Sequence, residues 1–66
     1  MEISLTFSGK EKDIPLVKGD TVSDVLKKAE INPEIVLVKR KNMIIPDDEE
    51  IRDGDVLNVL KIVSGG

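Results

Sequence analysis

The chain closes on Val63-Ser64-Gly65-Gly66, and a carboxylate carried on two glycines is the group in it best placed for covalent chemistry. Neither glycine has a Cβ, so the last two peptides can thread a channel too narrow for other residues. A terminus that is not tied down also projects into solvent. A partner enzyme could grip such a tail and convert its carboxylate into an acyl-adenylate. Gly-Gly by itself would equally fit a frayed end, so its meaning rests on what precedes it.

Composition removes most other chemistry. The 66 residues contain no Cys and no His. Ser-His-Asp and Cys-His arrangements therefore cannot be built, and the commonest metal ligands are missing. The five glycines stand at 9, 19, 54, 65 and 66, too scattered to cradle a phosphate. Asp47-Asp48-Glu49-Glu50 lacks the alternating spacing and internal glycine of a calcium loop, and reads as a solvated turn or helix start. An independent enzyme is not expected, nor a metal or cofactor of the chain's own.

One Phe and no Tyr or Trp leave almost no platforms for stacking bases, and 13 acidic against 10 basic residues argue against a nucleic-acid binder. No apolar run nears a membrane span and no secretory pattern opens the chain, so a soluble, cytoplasmic protein without a membrane partner is expected. With 39% hydrophobic and 35% charged residues the chain should fold rather than stay disordered.

The elements that would hold the tail follow from periodicity. Residues 1–7 alternate, with Ile3, Leu5 and Phe7 on one side. After a Ser8-Gly9-Lys10 turn, Ile14 and Leu16 continue the alternation in a second strand. Pro15 within it cannot donate a ladder hydrogen bond, which assigns that strand to a sheet edge. Thr21 is a suitable N-cap with Asp24 as capping-box partner. Val22, Val25, Leu26 and Ala29 then form one face of a helix of about three turns that Asn32-Pro33 stops. Residues 35–38 form an apolar strand, 39–42 a basic turn, and 43–45 a short strand ended by Pro46. Ile51 anchors a connection, Asp53-Gly54-Asp55 is a turn, and 56–63 is a long apolar strand.

One helix must cover one face of the sheet, so Ile3, Leu5, Phe7, Ile14, Leu16, Val36, Val38, Leu57 and Val59 are expected beneath it. The last strand is apolar on both sides and belongs at the centre, beside the first. This arrangement is an α+β fold of the β-grasp type, with about five strands in a mixed sheet. A ferredoxin-like half or a small barrel shares the element order. With Leu57, Val59 and Val63 inward, Val56, Leu60 and Ile62 face away from the helix. Leu37 on the neighbouring strand should join them in an exposed patch that leads into the tail, a candidate partner surface. Lys39, Arg40 and Lys41 could steer charge at its rim, although a solvated turn explains them equally well.

Gly19-Asp20-Thr21-Val22, Val25-Leu26, Ile44-Ile45-Pro46, Asp53-Gly54-Asp55 and Val63-Ser64-Gly65-Gly66 occur in an order that resembles the ubiquitin-like sulfur carriers of the ThiS and MoaD type. The short length is closer to ThiS. Leu60-Lys61-Ile62 stands where MoaD often has Phe-Pro-Pro. Lys41-Asn42 replaces an Asn-Gly-like turn, and Asn tolerates the positive φ needed there.

The resemblance implies a β-grasp domain over 1–63 and a flexible tail over 64–66 in which Ser64 and Gly65 carry Gly66. It also implies that an adenylating enzyme related to ubiquitin activators uses ATP and magnesium to form an acyl-AMP on Gly66. A sulfur donor then converts this to a thiocarboxylate, and the sulfur passes to an acceptor synthase in thiamin thiazole, thiolated tRNA or molybdopterin formation. The carrier itself would be a monomer. Two other functions compete: a ubiquitin-like modifier joined through Gly66 to lysines of other proteins, and a β-grasp interaction module in which Gly-Gly is incidental.

Overall fold

The structure, a computed structural model, describes residues 1–62. Strands β1 (Glu2–Phe7), β2 (Lys10–Pro15), β3 (Val36–Arg40), β4 (Met43–Ile45) and β5 (Val56–Lys61) form one sheet in the order β2-β1-β5-β3-β4. Helix α1 (Val22–Lys28) covers one face. No helix among the described residues is long and apolar enough to cross a membrane.

The order follows from burial. β1 and β5 pair in parallel at the centre, where Leu5 and Leu57 are completely buried. β2 lies at the edge, as Pro15 requires, and β4 closes the other edge. The expected inward set is buried against Val22, Val25, Leu26 and Ile51. Phe7 and Ala29 are the exceptions, half-buried at the margin of this core.

Three expectations are corrected. α1 spans seven residues, about two turns rather than three, and it ends before Asn32-Pro33. Glu30 adopts a left-handed φ of 60°. The N–H of Ile31 then reaches Leu26 O at 2.9 Å, and that of Glu30 reaches Lys27 O at 3.0 Å. This pair of bonds is a Schellman stop. Asn32 instead caps a short 3-10 turn, Pro33–Ile35, so Ile35 precedes the strand it was expected to open.

The third correction concerns 39–42, where Lys39 and Arg40 belong to β3 and the turn is Lys41-Asn42 alone. Both have positive φ, 53° and 67°, the geometry of a two-residue hairpin whose twist matches the flanking strands. β5 spans Val56–Lys61, and the expected inward Val63 lies outside the described residues.

The helix start is as expected. Thr21 and Asp24 cap each other reciprocally, an arrangement that contributes about 1 kcal/mol. The acidic run completes it: Glu49 O and Asp47 O accept the N–H groups of Val22 and Ser23 at 3.0 and 2.9 Å. Two otherwise orphaned helix donors are satisfied in this way.

Candidate functional site: the helix-free face of the sheet

The two expected site regions fall differently. Ser64, Gly65 and Gly66, and the domain boundary ahead of them, lie outside the described residues. The candidate partner residues Leu37, Val56, Leu60 and Ile62 are all exposed large hydrophobics.

Alternation positions them. Leu57 and Val59 are buried against α1, so Val56, Asn58 and Leu60 face the other way. Leu37 lies directly opposite Leu60 in the β3–β5 ladder, and Lys39 lies opposite Asn58. Ile62 is just past β5, and its N–H donates to Ile35 O at 2.9 Å, which carries the same register one pair further.

Leu37, Leu60 and Ile62 therefore cluster at the end of β5 from which residues 63–66 follow. Val56 shares their face but not their neighbourhood. It pairs with Ser4, and Asn58 intervenes, leaving Val56 about 13 Å along the strand from Leu60.

Ile44 was missed by reasoning from sequence and belongs to this face. The two-residue turn sets Lys39 opposite Ile44, and Ile44 is exposed. The signal was available, because a Lys41-Asn42 turn of that kind fixes the β3–β4 register by itself.

The basic rim is smaller than its three residues suggested. Arg40 is drawn into the protein: its Nη2 reaches Glu49 Oε2 at 2.6 Å, and its Nη1 reaches Asp55 Oδ2 at 3.1 Å and Glu50 O at 3.3 Å. The Glu49 carboxylate holds the guanidinium pKa above its usual range against the opposing effect of burial, and Asp55 adds to it. Arg40 thus fastens β3 to the connection before β5. Lys39 and Lys41 remain at the rim.

A five-stranded mixed sheet with a parallel central pair and one helix across one face is the β-grasp, the fold of ubiquitin-like proteins. The solved ubiquitin of Caldiarchaeum subterraneum superimposes with a TM-score of 0.71 over all of this chain and 98% of that one, at 19% identity. The family follows from the sequence: the ThiS family model matches residues 4–66, and the chain belongs to that family.

Two relatives are similar over most or all of their length. An uncharacterised protein of Archaeoglobus fulgidus is 34% identical over the full length of both chains. The sulfur carrier protein TtuB of Thermus thermophilus is 30% identical over 86% of this chain and 88% of its own.

Proposed function

We propose that this protein is a sulfur carrier that works through Gly66. A ubiquitin-activating-like enzyme, using ATP and magnesium, joins AMP to the Gly66 carboxylate and releases pyrophosphate. A sulfur donor then displaces AMP to leave a thiocarboxylate, whose sulfur passes to an acceptor synthase of the thiamin thiazole, tRNA thiolation or molybdopterin type. AMP departs readily where the carboxylate oxygen alone would not. The chemistry asks nothing of a catalytic side chain in the carrier.

The observation that carries this reading is family membership that extends through Gly65-Gly66. The name of the TtuB relative supports it. The Leu37–Leu60–Ile62 cluster is the surface assigned to the activating enzyme, because it leads toward the reactive end. Apolar residues at the centre of a transient interface, with charge at the rim, suit a carrier that must bind and leave.

ATP–pyrophosphate exchange with the activating enzyme encoded in the same genome tests the proposal. Deletion of Gly66 should abolish exchange while thermal melts stay unchanged. Normal exchange by the truncated chain would refute it.

A further inference from the structure

The sheet carries a second surface beside the C-terminal end of α1, on the face opposite Leu60. Phe7 and Ile31 are only half-buried there. Register sets Lys12 opposite Leu5 and Lys10 opposite Phe7. Cross-strand partners share a face, so both lysines lie on the helix side, where Ile14 of the same strand is buried. Together with Ala29, Glu30 and Ile31 they line a cleft of about 350 Å³, in which the two lysines face the single carboxylate of Glu30. Among the described residues neither ammonium pairs with a carboxylate; the ion pairs there belong to Lys28 and Arg40.

The same strand also has uncommitted backbone. Leu16 N–H donates to Met1 O at 2.8 Å, which sets the phase of the β1–β2 ladder. Hydrogen-bonded and non-bonded pairs alternate from that point, so Glu11 and Asp13 turn their N–H and C=O groups away from β1. No strand among the described residues lies beyond β2. Pro15, the next outward position, has no N–H, and its carbonyl accepts from Lys28 Nζ at 3.1 Å. The open edge therefore offers two donors, with lysines on its helix side and the Glu11 and Asp13 side chains on the other.

We propose that this edge and the adjoining cleft dock an extended segment of a partner protein, which adds to β2 as a sixth strand. Its cleft-facing side chains are aliphatic where they meet Phe7 and Ile31, and acidic where they meet Lys10 and Lys12. Its other face carries neutral or basic residues, since carboxylates there would meet Glu11 and Asp13. Charged edge strands ordinarily discourage pairing. On β2 the charges are sorted by sign onto two faces, which rejects most strands and matches one pattern. The inference goes beyond the sulfur-carrier reading and does not depend on it.

Two fluorescein-labelled peptides of identical composition test this on the full chain. In the first, aliphatic and glutamate residues alternate with threonine and lysine, so that one face is acidic-apolar; the second is scrambled. The first should bind saturably and shift the amide resonances of Phe7, Glu11, Asp13 and Ile31. Lys10→Glu with Lys12→Glu should weaken it about tenfold, and a proline at the centre of the peptide should abolish binding. If the double variant melts early, Lys12→Gln alone is compared instead, with a smaller loss expected. Equal binding of the scrambled peptide, shifts confined to Leu37 and Leu60, or unchanged affinity in the folded lysine variants would overturn the proposal. Tighter binding of a single-stranded oligonucleotide at the same lysines would also overturn it.

Discussion

Leu37 on β3 stands directly across from Leu60 on β5, on the face of the sheet that α1 leaves bare. An aliphatic pair of this kind contributes little to the core while exposed. It is available to a partner without any rearrangement of the fold, and this makes the face testable apart from stability.

Leu60→Asp should weaken binding to the activating enzyme far more than it lowers stability. The carboxylate stays hydrated in the free protein, but burial against an apolar partner surface costs several kcal/mol, on the order of 2 or more, unless it is paired. A binding titration run beside thermal melts decides. Unchanged affinity in a stable variant would mean that the partner reads only the tail.

Leu26→Ala should cost about 2–5 kcal/mol, because Leu26 is only 1% exposed beneath the sheet. That is a large share of the total for so small a domain. A loss below about 1 kcal/mol in urea would contradict the packing of α1.

Arg40→Met should destabilise the fold by about 1–2 kcal/mol through loss of three charge-assisted contacts. Arg40→Lys should recover only part of it, since a single ammonium cannot span two carboxylates and a carbonyl. Full recovery by lysine in urea titrations would show that the bridging geometry is unimportant.

Asp20 gives a pH dependence. Its carboxylate, bonded first to Lys28 and then to the Val17 N–H, is held below its ordinary pKa. A depressed pKa means that the folded state favours the ionised form. The resulting stability is present above the ordinary carboxylate range and is lost as pH falls through the folded value. Asp20→Asn should therefore lower the urea midpoint at neutral pH and converge with the parent protein in acid. A constant difference across the titration would contradict this.

Much of the fold was legible because local signals agreed. Pro15 placed β2 at an edge, Thr21 with Asp24 set the helix start, and the two-sided apolar character of β5 put it at the centre. The helix end was misjudged because Asn32-Pro33 is a strong stop signal, whereas Glu30 in a left-handed conformation is not visible in sequence. Leu37 and Leu60 emerged from alternation alone. Alternation put Val56 on the same face as well, but it gives a face and not a distance along it, and Asn58 stands between Val56 and Leu60. The role of Arg40 depended on contacts with Glu49 and Asp55, which only the tertiary fold brings together.

Sulfur carriage at Gly66 can be read from the intact mass of the protein purified from cells that make it. The sulfur-carrier account predicts a population heavier by the exchange of one oxygen for one sulfur, localised by fragmentation to Gly66 and absent when residues are appended beyond it. Unmodified carboxylate throughout, with tryptic remnants of residues 62–66 found in isopeptide linkage on lysines of other proteins, would contradict the account and identify a modifier instead.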